Sequence, residues 1–206
     1  METTVFIIRH GITDWHVERR VLGHRDIGLN RTGLLQAQSV AVALADVTIG
    51  EIIASPLLRA VQTAEILAEK SGGAITRDPR LSDFRVGKWE GMSYDDLEAR
   101  EDYKKFNANP LVEKLPSGEG LHQIRDRAIG AIDQALRDAP TGENIAVITH
   151  AGIARVILGH YLGMDLAAYH QLDLRPASVS VLSFRDDRNP PRVLSLGWRP
   201  TIKELV

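Results

Sequence analysis

Two short apolar runs in the chain each lead into a histidine. The first, at 5–8, precedes Arg9 and His10, and the second, at 145–148, precedes a threonine and His150. Runs of this length, rich in β-branched residues, predict buried strands of a parallel sheet. Because ligands of open α/β sheets bind beyond the carboxyl ends of such strands, we expect the two histidines to face one crevice.

The other periodic segments predict strands and helices that alternate along the chain. Helices are expected over 32–46 with Thr32 as the cap, 57–70 with Ser55 as the cap and Pro56 in the first position, 93–101, 121–136 and 152–162. Strands are expected over 51–54 and 74–77, with a hairpin of 178–184 and 192–196 joined through 185–191. Residues 11–31 are expected to form a loop that lines a pocket. Prolines in 102–120 are expected to prevent a long helix or strand there. This order predicts a single domain over 1–206, a three-layer α/β/α sandwich with a mainly parallel central sheet.

Composition narrows the classes of partner. The chain has 25 Lys plus Arg against 27 Asp plus Glu, a net charge of −2, so no overall field attracts nucleic acid or anionic lipid. It has no cysteine, which excludes disulfides and thiolate chemistry. Neither a signal peptide nor a run of about 20 apolar residues is present, so a cytoplasmic protein without membrane contact is expected. A homodimer is compatible with the sequence, which does not fix the oligomeric state.

The residues expected at the carboxyl edge of the sheet fit an anion. Arg59 falls in the first turn of the helix after the second strand, at the edge where Arg9 and the two histidines also lie. A guanidinium presents a planar fork of donors that matches phosphate oxygens two at a time. Neutral imidazole is a nucleophile toward phosphorus, so His10 is the candidate nucleophile, with His150 stabilising charge at a helix start. Asp83 is the candidate proton donor.

Four segments in order resemble the histidine phosphatase superfamily, which has the phosphoglycerate-mutase-like fold. They are Arg9-His10-Gly11 with Thr13, residues 55–64, residues 81–91 and residues 149–152. The order and spacing of these four blocks match the family from residue 5 to about 185. Four ordered blocks identify the family with high specificity, whereas the Arg-His-Gly triplet alone would be a weak signal. The resemblance implies phosphorylation of His10, a phosphate pocket completed by Arg9, Arg59 and His150, Asp83 at the family's acid position, and catalysis without a metal or other cofactor. Further substrate-binding candidates are Thr13, His16 and Ala151.

Three features depart from the family pattern. Ile12 stands where the family often has glutamate, and His16 stands where an asparagine usually helps to bind phosphate. His16 is therefore either a phosphate contact with an added pH dependence or a wall residue. Asp83 is one methylene shorter than the usual glutamate, so Glu90 is the alternative acid. Gly120 stands where the family has serine.

The sequence favours a phosphomonoester hydrolase that forms a phosphohistidine and acts on a small phosphorylated metabolite. Two alternatives stay open: a cofactor-dependent phosphoglycerate-type mutase, which needs extra cations for a second phosphate, and a phosphate-ester-binding module with little turnover. Residues 92–120 contain no paired arginines, which favours hydrolysis over transfer. The sequence does not identify the natural substrate.

Overall fold

A single six-stranded sheet forms the centre of the computed structural model, which describes residues 2–140, 142–185 and 188–200. The strands are β1 (Glu2–Arg9), β2 (Ile49–Ala54), β3 (Ala74–Arg77), β4 (Asn144–Thr149), β5 (Val179–Arg185) and β6 (Arg188–Trp198). Their order across the sheet is β3-β2-β4-β1-β5-β6. The first four strands in this order are parallel, whereas β5 and β6 are antiparallel to their neighbours. The prediction of a mainly parallel sheet is confirmed.

Helices cover both faces of this sheet. They are α1 (Asp14–Val17), α2 (Arg31–Ala43), α3 (Leu58–Ser71), α4 (Tyr94–Glu98), α5 (Glu101–Ala108), α6 (Leu121–Asp138) and α7 (Ala151–Tyr161), with 3₁₀ turns at Pro79–Leu81, Gly87–Trp89 and Leu166–Gln171. Side chains of β1 alternate between the two faces, as a strand requires. Val5 and Ile7 join a core with α6 and α7, whereas Phe6 and Ile8 join a second core with α2 and α3. The three-layer α/β/α sandwich is therefore confirmed.

Two helices begin at residues other than those expected. The cap of α2 is Asn30, whose side chain accepts a hydrogen bond from the Gly33 amide, so the prediction of Thr32 was wrong. The cap position of α3 is Leu57, so the predictions of Ser55 as the cap and Pro56 as the first helical residue were wrong, although the Ser55 hydroxyl accepts from the Leu57 amide at 3.3 Å. Asn and Thr are both good caps, and the local sequence alone does not choose between them.

The segments expected to be irregular contain short helices. Within 11–31 the chain forms the single turn of α1, and within 102–120 helix α5 continues to Ala108. Only one residue of α5, Phe106, is buried, and its ring lies 6.2 Å from that of Trp89. One buried position in two turns gives no periodic signal, which explains why this helix was missed.

The hairpin at the end of the chain is longer than predicted. Strand β6 already begins at Arg188, where 192 was expected, and contains two prolines that an edge strand tolerates. Of the predicted connection over 185–191, residues 186 and 187 lie outside the described residues. Among the residues described, no helix has the length and apolarity needed to cross a membrane.

Candidate active site

The carboxyl ends of three adjacent strands meet at one point of the sheet. Arg9 of β1 pairs with Thr149 of β4, so the next residues, His10 and His150, lie side by side with ring centroids 5.0 Å apart. On the other side of β4, strand β2 ends at the same level and is followed by Ser55. Both histidines and this serine are almost fully buried. The expected meeting of the two imidazoles is therefore observed.

His10 has a tautomer fixed by its own backbone. Its Nδ1 lies 2.7 Å from the carbonyl oxygen of Gly11, which can only accept, so Nδ1 carries the proton. The Nε2 atom consequently has a free lone pair. Burial lowers the pKa of His10 well below its ordinary 6.5, and the nearby His150, Arg59 and Arg9 lower it further. The imidazole is neutral at physiological pH and has the protonation state of a nucleophile.

His150 connects Ser55 with Asp83. Its Nε2 lies 2.7 Å from the Ser55 hydroxyl oxygen, and its Nδ1 lies 3.7 Å from Oδ2 of Asp83. Burial and the charge of Arg59 lower the pKa of His150 well below 6.5. When the Ser55 hydroxyl donates to Nε2, Nδ1 carries the proton and becomes a donor toward the cavity. Ser55 was expected only to cap a helix; its position at the end of β2 is the signal that indicates the site.

Arg59 forms a buried cation behind the histidines. Its side chain is 0% exposed. Nη1 donates to the Arg25 carbonyl, and Nη2 donates to the Gly23 carbonyl at 2.8 Å and to Asp83 Oδ2 at 3.2 Å. Burial lowers the pKa of Arg59, and the charge of Asp83 opposes this effect. The guanidinium therefore supplies a fixed positive charge next to the carboxylate and the imidazoles.

Arg9 and His16 form the next pair. Nη1 of Arg9 donates to the Leu174 carbonyl, and Nη2 lies 2.9 Å from Nε2 of His16. Nδ1 of His16 accepts from the Thr13 amide at 3.3 Å and lies 2.8 Å from the Thr13 hydroxyl oxygen. Burial, followed by the charges of Arg9 and Arg59, lowers the pKa of His16 to about 3. Burial is likewise the main cause that lowers the pKa of Arg9 to about 10.

Asp83 is held at the edge of the site by its own segment. Oδ1 accepts from the Phe84 amide at 2.9 Å, which leaves Oδ2 facing Arg59 and His150. The alternative acid, Glu90, accepts from the His24 amide and pairs with Arg25 at 3.3 Å. Glu90 is not among the residues that line the cavity, whereas Asp83 is. The geometry therefore favours Asp83 as the acid.

The segment that carries Asp83 is anchored from outside the site. Nη1 of Arg127 donates to the carbonyls of Arg80 and Ser82 at 2.6 and 2.7 Å, and Nη2 donates to the Asp83 carbonyl at 3.2 Å. Nε of Arg127 pairs with Glu119 at 2.8 Å. One half-buried cation thus fixes the backbone on which the carboxylate stands. This role could not be predicted from the sequence, since the acceptors are backbone carbonyls.

A cavity of about 320 Å³ opens in front of these groups. Its polar end is formed by Arg9, His10, His16, Asp83 and Ala151. The remaining wall is mostly apolar and aromatic and includes Phe84, Trp89, Leu97, Phe106 and Tyr169. Of the other predicted site residues, Arg59 and His150 lie behind the polar end, and Thr13 reaches it through His16.

Three buried nitrogens of this site have no hydrogen-bond partner within the described part of the chain. They are Nε of Arg9, Nε of Arg59 and Nδ1 of His150. A buried donor without a partner is costly, on the order of 1–3 kcal/mol each. A tetrahedral anion that reached these nitrogens would supply the acceptors that they lack. In the same described residues, no group of three or more His, Cys, Asp or Glu is arranged to hold a metal ion.

The protein has the phosphoglycerate-mutase-like fold, with the two histidines at neighbouring strand ends. Residues 5–198 match the histidine phosphatase superfamily (branch 1), and the chain belongs to this family. It is 33% identical over 196 residues to the probable phosphoglycerate mutase GpmB of Escherichia coli O1:K1. The aligned region covers 94% of this chain and 89% of GpmB.

Solved structures share the fold. Bacillus stearothermophilus YhfR is 26% identical with a TM-score of 0.85, covering 99% of this chain and 100% of its own. A mutant phosphoserine phosphatase of Entamoeba histolytica, in complex with phosphoserine, is 24% identical with a TM-score of 0.83, covering 95% of this chain and 96% of its own. The same E. histolytica phosphatase is also known in complex with 3-phosphoglyceric acid. The expected family is confirmed, and its members include both named phosphatases and a probable mutase.

Proposed function

We propose that the chain is a phosphomonoester hydrolase that acts through a phosphohistidine at His10, without a metal ion, on a small phosphorylated metabolite. Arg9 and Arg59 bind the phosphoryl dianion, with His16, its partner Thr13 and the Ala151 amide at the start of α7 completing the pocket. His150 donates from Nδ1 to a non-bridging oxygen. Asp83 acts as the acid and then as the base.

The first step forms the phosphoenzyme. The Nε2 lone pair of His10 attacks phosphorus, the bond from phosphorus to the ester oxygen breaks, and the leaving oxygen takes the proton of the Asp83 carboxyl group. In the second step water attacks the phosphohistidine and gives its proton to the Asp83 carboxylate. The phosphorus–nitrogen bond breaks, which releases inorganic phosphate and restores neutral His10. Asp83 is then protonated for the next cycle.

One observation carries this proposal. The Gly11 carbonyl fixes the Nδ1 proton of His10, so Nε2 presents its lone pair within a pocket that holds two guanidinium groups. A histidine that served only for packing has no requirement for unpaired buried donors around it. A nucleophile for a phosphate dianion requires both features.

Trapping the intermediate tests the proposal. The protein, treated with EDTA, is mixed with a ³²P-labelled phosphate ester, quenched, and examined for label that is labile in acid and stable in base. We expect label on His10 and steady release of phosphate from a chromogenic ester between pH 5 and 8. His10→Ala should abolish the label. Turnover that requires an added metal, or that survives in His10→Ala, would contradict the proposal.

The same assay separates hydrolysis from the two alternatives. The similarity to GpmB keeps the mutase candidate in view. A mutase would transfer the label from His10 to a monophosphorylated acceptor more readily than to water. A binding module would bind the ester without forming labelled protein. We expect water to be the acceptor.

A further inference from the structure

Arg155 lies in the cavity beyond the phosphoryl pocket. It stands on α7, four residues after Ala151 and therefore on the same face of the helix. Its side chain lines the cavity together with Arg9 and His10. The residue is half-buried, whereas its helical neighbours Ala154 and Val156 are buried in the core. Arg155 is thus positioned at the wall that contacts the leaving group.

The charge of Arg155 has no partner among the residues that the structure describes. Its Nε donates to the Leu172 carbonyl at 2.6 Å, which fixes the side chain, but in the ranges 2–140, 142–185 and 188–200 its two outer nitrogens have none. The nearby carboxylate of Asp173 pairs with Arg175 instead, at 3.2 Å. The charge of Arg155 is also the second cause, after burial, that lowers the pKa of Arg9. Two unpaired cations therefore repel each other in one cavity.

The wall around Arg155 suits a leaving group with an apolar body. The rings of Phe84 and Tyr169 lie 5.9 Å apart at this wall, and Leu97 and Phe106 line the same cavity. An apolar or aromatic group packed against these side chains would cover them from water. Arg155 lines the same cavity and faces a charged substituent of such a group.

We propose that Arg155 binds an anionic group on the leaving group of the substrate, and that this group is a carboxylate. The inference rests on the proposed function, which assigns Arg9 and Arg59 to the phosphoryl dianion. Of the arginines that line the cavity, Arg155 is the one without a proposed role toward the phosphoryl group. Its single positive charge matches a carboxylate better than a second phosphate dianion. A guanidinium fork that is already fixed through Nε offers two donors to both carboxylate oxygens.

A pair of matched aryl esters tests this assignment. The probes are 4-carboxyphenyl phosphate and 4-carbamoylphenyl phosphate, which have similar size and differ in the charge next to Arg155. We expect the wild-type protein to favour the carboxylate. Arg155→Met should lower the ratio of the two kcat/KM values about 10- to 100-fold, the range for one charge-assisted contact. Arg155→Lys should recover part of the ratio, and Arg137→Met, on the exposed side of α6, is the control.

Binding measurements keep the inference testable without turnover. In a His10→Ala background, the ratio of the two dissociation constants should shift by the same factor when Arg155→Met is added. An unchanged ratio in both assays overturns the role of Arg155 and leaves the proposed hydrolysis intact. Absence of label on wild-type His10 overturns the hydrolysis, while the binding ratio still decides the role of Arg155. A larger effect of Arg155→Met on 1,4-phenylene bisphosphate than on the carboxylate would overturn the carboxylate and indicate a second phosphate.

Discussion

Replacement of His16 by asparagine should make the protein less sensitive to acid. The pKa of His16 in the fold is about 3, against an ordinary value of 6.5. The unfolded chain therefore binds a proton at His16 as the pH falls below 6.5, whereas the folded chain does not. Unfolding is favoured by this uptake, so the contribution of His16 to the free energy of unfolding decreases from pH 7 toward pH 3.

The magnitude follows from the ordinary pKa, because the folded value lies below the pH range of the experiment. Between pH 7 and pH 5 the loss is about 2 kcal/mol for one such histidine. His10 and His150, whose pKa values are also held well below 6.5, act in the same direction. The three together approach 6 kcal/mol as an upper bound, which is comparable with the whole stability of a small domain, roughly 5–15 kcal/mol.

Urea unfolding at pH 7 and pH 5 in phosphate-free buffer measures this difference. We expect His16→Asn to lose about 2 kcal/mol less than wild type between the two values. Carboxylates elsewhere contribute equally to both proteins and cancel in the comparison. His122→Asn, which removes an exposed histidine of α6, is the control and should follow wild type. Parallel profiles for wild type and His16→Asn would refute the electrostatic description of the pocket.

Three further substitutions examine the acid and the cations. Asp83→Asn should slow phenyl phosphate hydrolysis by about 10²–10⁴ but 2,4-dinitrophenyl phosphate hydrolysis far less, because the dinitrophenolate leaves without a proton. Glu90→Gln should leave the ratio of the two hydrolysis rates unchanged. If Glu90→Gln changed this ratio and Asp83→Asn did not, Glu90 would be the acid. Arg59→Ala should lower kcat by about 10²–10³, with Arg59→Lys recovering only part; a neutral effect on hydrolysis rates would remove Arg59 from the pocket. Arg127→Met should slow phenyl phosphate more than the dinitrophenyl ester, because it releases the Asp83 backbone, and an equal loss on both esters would leave Arg127 a purely structural residue.

The strand ends of the site could be predicted because their signal is local. An apolar run that stops at a polar residue marks the carboxyl end of a buried strand, and parallel strands bring such ends together. His10 and His150 were placed beside each other on this ground, and the register of β1 with β4 confirms it. Arg59 was placed by the same reasoning, one turn after the end of β2.

The supporting contacts could not be predicted because they depend on the tertiary structure. Ser55 followed by proline looks like a helix cap, and its hydroxyl oxygen does accept from the Leu57 amide, but nothing local indicates that it also contacts His150. Arg127 binds carbonyls that any sequence would provide. Arg155 lies in an apolar helix, and its cavity position depends on the segment around Leu172, which follows that helix and folds back to contact it.

The buried arginines explain how the site divides its chemical roles. Fixed positive charge that suits a phosphate dianion also disfavours protonation of any imidazole nearby, so the arginines proposed to bind the phosphoryl group add to burial in lowering the pKa of His10. The same field leaves the histidines poor sources of a proton for the leaving oxygen. The proposed mechanism gives that task to a carboxyl group, and Asp83 is the one carboxylate among the described residues that line the cavity. Oδ2 of Asp83 lies 3.2 Å from Nη2 of Arg59, and the Asp83 backbone is fixed from outside the site by Arg127.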